Sequence, residues 1–179
     1  SLSGTTEVRH LFVWSLADRS LHEISRPLSN DEQPAWDPRG ERLYFLGLRG
    51  FQPRLAGEYE WDFQVDRAWT IHALALRKDV GPLLGKQSDE ATAPAKRDDA
   101  PPKFEQPIAI DFTGLADRVE TLPLPADNYS GLTVANDHLL FAQRGGSYYG
   151  RHSDRPATLQ AWSCKDKKGE MLATGVREF

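Results

Sequence analysis

The sequence predicts an all-β protein made of repeated four-stranded antiparallel units. Three observations carry this. Alternating, β-branched and aromatic segments recur along the whole chain, separated by Gly, Pro, Asn and Asp turn chemistry. No amphipathic stretch of helical period reaches ten residues. A hairpin pattern at residues 33–47, "QPAWDPRGERLYFLG", returns in weaker form at 130–143.

In chain order, "HLFVWSLAD" (10–18) and "RSLHEIS" (19–25) alternate on either side of a short polar turn and read as a hairpin. "SNDEQ" (29–33) is polar turn chemistry, after which "PAW" starts a strand that stops at "DPRG". There Asp37 can accept backbone N–H bonds, Pro38 pre-sets φ, and Gly40 tolerates the exit geometry, so a tight turn falls at 37–40 and "ERLYFLG" (41–47) runs back. Residues 48–68 hold too much Gly, Pro and polar material for a regular strand, yet they carry Phe51, Tyr59, Trp61 and Phe63. "WTIHALALRKD" (69–79) puts Ile71, Ala73 and Ala75 on one face and His72, Leu74 and Leu76 on the other, which predicts a strand buried on both faces.

Large apolar residues vanish at 85–103, a flexible excursion by composition. "PIAIDF" (107–112) and "DRVETLPLP" (117–125) read as strands around the turn "TGLA". "NYSGLTVANDHLLFAQRGG" (128–146) gives two strands around Asn136 and Asp137. "ATLQAWSCKDKKGEMLATGV" (157–176) closes as a hairpin around 166–169.

Aligning "PAWDPRGERLYFLG" with "SGLTVANDHLLFAQ" sets Trp36 on Leu132, and Leu43, Tyr44 and Phe45 on Leu139, Leu140 and Phe141. The strands beginning near residues 10, 69 and 157 also share a form. The predicted order is the third and fourth strands of one unit (10–28), a full unit (34–125) with insertions at 48–68 and 85–106, and a following unit (128–179). This is the syntax of β-propeller blades, which bury their faces only against neighbouring blades around a central channel. A closed propeller takes about 4 to 8 blades, and two to three are encoded here. The expectation is an interior segment of a larger array, with the remaining blades outside this sequence or supplied by self-association.

With 39% apolar and 27% charged residues and a net charge of −4, the composition is that of a globular protein. Lys and Arg interleave with Asp and Glu, which argues against nucleic acid as a partner. No apolar run is long enough for a membrane helix, so no membrane partner is expected. Cys164 is the single cysteine, which excludes an internal disulfide and a multi-cysteine zinc site.

Histidines at 10, 22, 72, 138 and 152 lack metal or triad spacing, and Ser130 and Ser163 lack a nucleophile elbow. Cys164 reads as a small strand residue rather than a nucleophile. Asp62 and Asp66 could form an acid–base pair, but neighbouring Arg67 points to a structural ion pair. Gly145 and Gly146 are not followed by a P-loop lysine and helix. Trp14, Trp36 and Trp162 are expected to fill space between blades. Trp61, Tyr148 and Tyr149, in loops, are the candidate ligand-facing residues. No catalytic, cofactor or metal residue is expected.

"PAWDPRGERLYFL", the aromatic loop ending in "EWDFQVDRAWTIHALALRKD", the Pro- and acid-rich insertion, "IDFTGLADRVETLPLPADNYSGL" and "HLLFAQ", in that order, resemble the second propeller of bacterial tricorn protease homologs. The resemblance spans most of 10–145. It implies a fragment of a large serine peptidase whose nucleophile sits in a separate core, with the propeller as non-catalytic scaffold, gate or peptide-binding surface. The partners it implies are the other blades, the core and a peptide substrate. Family members are often exported, which implies a periplasmic or secreted parent; without the resemblance a cytoplasmic location is the default. The alternatives are a stand-alone module completed by self-association, and a propeller of a prolyl-oligopeptidase-like or carbohydrate-acting hydrolase.

Overall fold

A computed structural model describes residues 8–26, 29–49, 53–55, 63–85, 108–146 and 153–177. Strands β1 (Phe12–Ser15) and β2 (Ser20–Glu23) form an antiparallel hairpin in which Trp14 pairs with Leu21. Strands β3 (Asn30–Trp36) and β4 (Arg42–Leu48) follow, then a short extra pair, β5 (Pro53–Leu55) and β6 (Phe63–Val65), then β7 (Trp69–Ala75) and β8 (Val119–Thr121). Four of these make one antiparallel meander in the order β3-β4-β7-β8. The remaining strands, β9 (Asn128–Ala135), β10 (His138–Arg144), β11 (Thr158–Ser163) and β12 (Lys168–Thr174), make a second meander in sequence order. The all-β class and the blade-like units are as the sequence predicts.

The central sheet is a sandwich filling. One face, with Tyr44, Leu46, Ile71 and Ala73, packs on Leu132, Leu139, Phe141 and Trp162 of the second sheet. The other, with Leu43, Phe45, Leu74 and Leu76, packs on Val13 and Ile24 of the hairpin and on Leu115. The period of two along β7 therefore sends alternate residues into two different cores, and the strand is apolar on both sides. Each large side chain buried this way contributes roughly 1.5–3 kcal/mol.

The 37–40 turn forms as expected. Gly40 N–H donates to Asp37 O at 2.8 Å, Gly40 has φ 66°, and the Asp37 carboxylate accepts the N–H groups of Arg39 and Glu41, both at 3.4 Å.

Elsewhere the expectations need correction. Residues 30–33 belong to β3 instead of a turn, because their polar groups are spent in ladder and joint bonds and the irregularity is taken up by a bulge at Gln33, φ 52°. The 48–68 segment is not wholly irregular: β5 and β6 pair within it. Residues 108–112 are not a strand. They lie on the second core through Ile108, Ile110 and Phe112, pinned by Asp111 N–H to Leu76 O at 2.9 Å. A 3-10 turn, Leu115–Arg118, precedes β8, which is only three residues long. The final hairpin turns at 164–167, earlier than expected, so Gly169 lies in β12 opposite Trp162.

The repeat also shifts. Leu43 pairs with Trp36, and Leu139 pairs with Val134, so Trp36 occupies the place of Val134 and not of Leu132. The connection 37–42 (six residues) is two longer than its counterpart 135–138 (four residues). With that offset the bulges coincide: Gln33 matches Gly131, φ 64°, where the β9–β10 register also slips.

Candidate functional site

A large share of the polar chemistry of the described residues gathers at the two rims of the joint between the four-stranded sheets. At the rim where β9 begins, Asp127 is 6% exposed and accepts from Arg155 and from Gln143 Nε2 at 2.7 Å. Arg67, just before β7, pairs with Asp154 and lies 3.7 and 3.9 Å from Asp66 and Asp127. Asn128, the first residue of β9, accepts the Arg67 N–H at 2.8 Å and donates to Asp66 at 2.5 Å. Burial pushes the Asp127 carboxyl up, but the bonds from Arg155, the Asn128 N–H and Gln143 outweigh it and hold the group below the usual carboxylate range. Arg67 likewise holds Asp154 down. These are acids neutralised by arginines, unsuited to proton transfer near neutral pH.

The Asp66–Arg67 pair is thus structural, as its sequence suggests. Gly145 and Gly146 have a steric role: a Cβ at Gly145 would collide with Ser153 and Asp154, and one at Gly146 would lie 3.1 Å from the Asp66 carboxylate.

At the opposite rim Arg39 grips Asp137 through two bonds, 2.6 and 2.9 Å, tying the turn of one sheet to that of the next. Between them a recess lined by Asp37, Arg42, Tyr44 and Cys164 has a volume of about 10 Å³. That is the size of one water molecule, too small for a peptide. Burial pushes the Cys164 thiol up and outweighs Tyr44 Oη, 3.5 Å from its sulfur, which works the other way, so the environment favours the thiol over the nucleophilic thiolate. Cys164 lies one residue past β11 and not within the strand.

Trp162 fills the joint as expected, at 1% exposure. Trp14 and Trp36 do not. They are 54% and 41% exposed. Trp14 lies on the hairpin face turned away from Val13, and Trp36 on the face of β3 opposite Ala35.

His72 is a core histidine, and burial, reinforced by Arg49, lowers its pKa to about 4. His22 Nε2 contacts Ser20 Oγ at 2.6 Å, but Asp18 approaches that same nitrogen, at 3.9 Å, so no acid orients the ring as a general base. His10 pairs with Glu23, and His138 with the Asn136 carbonyl. Ser130 accepts from Arg144, and Ser163 bonds Asp166. Among the described residues no group of three His, Cys, Asp or Glu is arranged to hold a metal ion, and no helix is long and apolar enough to cross a membrane. Trp61, Tyr148 and Tyr149, the candidate ligand-facing residues, lie outside the described residues, as do Asp62 and His152.

Sequence reasoning missed a repeated clasp. An arginine precedes the strand of each unit that starts near 10, 69 and 157: Arg9, Arg67 and Arg155, in "VRHLF", "DRAWT" and "DRPAT". The first two donate a backbone N–H to the Asn that opens the innermost strand of the following sheet, Arg9 to Asn30 at 3.1 Å and Arg67 to Asn128 at 2.8 Å. The recurring Arg was visible in the sequence; its Asn partner, 21 or 61 residues away, was not.

Consecutive antiparallel four-stranded meanders, packed face to face, with the same Arg-to-Asn bond recurring from one joint to the next, define the class as a run of β-propeller blades. No family model matches the chain. Its sequence is 28% identical over 140 residues to a tricorn protease homolog of Streptomyces coelicolor, covering 77% of this chain and 13% of that protein. It is 23% identical over 171 residues to the tricorn protease homolog of Saccharolobus solfataricus, covering 90% of this chain and 14% of the relative. The fold matches part of the crystal structure of the tricorn protease with a TM-score of 0.71 at 14% identity, over 98% of this chain and 17% of that one. In sequence and in fold the chain is similar to part of tricorn-type proteins, and it spans about one seventh of the length of those relatives.

Proposed function

We propose that the segment is a non-catalytic part of the propeller of a tricorn-like serine protease, serving as scaffold, gate or peptide-binding surface for cleavage carried out in a core outside this sequence. The observation that carries the reading is how the polar groups are spent. Arg39 with Asp137, Arg67 with Asp154 and Tyr44 with Cys164 are spent on one another across the joint, Asp127, Ser130 and Ser163 are bonded within the second sheet, and the recess between the sheets has no room for a peptide. On the same resemblance the parent is a periplasmic or secreted protein. The test is hydrolysis of unstructured peptides by this chain alone. No turnover is expected, and turnover abolished by a serine-directed inhibitor overturns the reading.

A second reading, a stand-alone module completed by self-association, is favoured by the exposed apolar side chains at both ends of the stack. These are Phe12, Trp14 and Leu21 on the hairpin, and Met171 and Leu172 on β12. Faces this apolar mark contact surfaces. A monomeric mass in solution at micromolar concentration removes it.

A further inference from the structure

We infer that copies of the chain dock head to tail, the outer face of the β9–β12 sheet of one copy covering the Trp14 face of the β1–β2 hairpin of the next, in the geometry of the joint between the two four-stranded sheets. The inference rests on the self-association reading above and names the two surfaces that meet.

The first surface follows from comparing two hairpins, "VWSLADRS" (13–20) and "AWSCKDKK" (161–168). Trp14 pairs with Leu21 and Ser15 with Ser20 around the turn 16–19; Trp162 pairs with Gly169 and Ser163 with Lys168 around the turn 164–167. The last turn residue has φ 55° in both, Arg19 and Lys167. Trp14 is therefore the counterpart of Trp162. Both correspond to Leu74 of the central sheet, which pairs with Leu43 as Trp162 pairs with Leu139. Leu74 and Trp162 each face the preceding unit and are 0% and 1% exposed under it. Trp14 is 54% exposed, with Phe12 and Leu21 beside it at 50% and 58%.

The second surface is the counterpart of what covers Trp162. That cover is the face of the central sheet carrying Tyr44, Leu46, Ile71 and Ala73, in which Tyr44 pairs with Ala73 and Leu46 with Ile71. One unit further on the same pairs recur as Leu140 with Ala161 and Ala142 with Leu159. Leu139, Phe141 and Trp162 point into the joint with the central sheet, so strand alternation turns Leu140, Ala142, Leu159 and Ala161 to the outer face. This quartet belongs to neither core of the described residues, and Leu140 and Leu159 are half-buried.

The chain thus carries at one end the aromatic side chain that such a joint covers, and at the other the apolar quartet that covers it. A second copy supplies both halves. Clustered exposed apolar side chains mark a contact surface, and a Trp that enters a packed pocket is the usual anchor of one. Because the two faces differ, every added copy leaves one of each kind free, and assembly runs past a dimer. The hairpin presents two strands where the second sheet presents four, so this joint is smaller than the internal one and the association is reversible.

Sedimentation velocity of the full chain over a concentration series tests this. The mass should rise with concentration beyond two copies. Trp14→Glu and Leu140→Glu should each be monomeric alone, and mixed in equal amounts they should form a mixed dimer and nothing larger, because each variant keeps the face that the other has lost. A monomeric mass of the unaltered chain at every concentration removes the self-association reading together with this joint. Oligomers that survive either substitution, a Leu140→Glu chain that dimerises by itself through paired Trp14 faces, or a mixture that stays monomeric leaves that reading standing and overturns the head-to-tail joint. Should Leu140→Glu fail to fold, hydroxyl-radical labelling of the unaltered chain decides: labelling of Trp14, Leu140 and Leu159 should fall together, severalfold at Trp14, between dilute and concentrated solution, and a fall confined to Trp14, or no fall, overturns the proposal.

Discussion

Replacing Gly47 by Ala adds one methyl group at the most crowded point of the central sheet. The new carbon would sit 2.6 and 2.7 Å from the His72 ring and 2.8 Å from the Asp31 carboxylate, where carbon contacts are comfortable at about 3.5–4.0 Å. Something must move by about 1 Å. His72 is held between Thr70, Thr121 and Phe45, and Asp31 between Arg49 and Ser29, and both are essentially unexposed. Overpacking of this kind costs about 1–3 kcal/mol, and loosening a charged hydrogen bond adds about 1.5–3 kcal/mol. A loss of about 3 kcal/mol, or about 6–12 °C in Tm for a chain of this size, is the expectation. Urea denaturation with a thermal melt measures it. Gly81→Ala is the internal control: nothing lies within 4 Å of its added carbon, so a change within about 0.5 kcal/mol is expected. A Gly47→Ala variant as stable as the unaltered chain, or a Gly81→Ala variant equally damaged, would refute the steric argument.

Two further outcomes follow from the joint between the four-stranded sheets. A double-mutant cycle on Arg39→Ala and Asp137→Ala should give a coupling of about 1 kcal/mol that shrinks in 1 M salt, because the pair is bidentate but its side chains are 22% and 36% exposed. A coupling near zero would remove this pair from what holds the sheets together. Burial raises the Asp37 carboxyl above its ordinary value of 3.8, whereas Asp127 is held below it. Asp37 therefore costs stability at neutral pH, and that cost lifts as pH falls through its raised value. Asp127 contributes stability above about pH 4 that is lost as pH falls through its lowered value. Asp37→Asn should gain on the unaltered chain more at pH 7 than at pH 3.5, and Asp127→Asn should lose more at pH 7 than at pH 3.5; denaturation series at the two pH values check both signs.

What was legible along the chain was local. The 37–40 turn needed only Asp37, Pro38 and Gly40, and the two-faced burial of β7 needed only a continuous apolar run, because both follow from φ preferences and the period of a strand. The readings that failed depended on distant residues. Gln33 looked like turn chemistry because nothing nearby shows that its Oε1 accepts the Gly131 N–H at 2.7 Å, stapling one bulge to the next sheet. Trp36 looked like joint filler because its residue type predicts burial but says nothing of what lies opposite. The Arg67–Asp154 and Arg39–Asp137 pairs cross 87 and 98 residues, and no short window holds both partners.

By itself, then, the order of residues determined the all-β class, most of the long strands, the 37–40 turn, the presence of a repeated unit and the tricorn-like resemblance, since each is written in stretches of a few to a few tens of residues. Only the tertiary structure decided how the units meet: which face of each strand enters which core, how the 37–42 connection shifts the repeat, and that acids and arginines scattered along the chain neutralise one another at two rims. Those outcomes depend on sheets packing face to face, and a buried charge finds its partner by proximity in space and not in sequence.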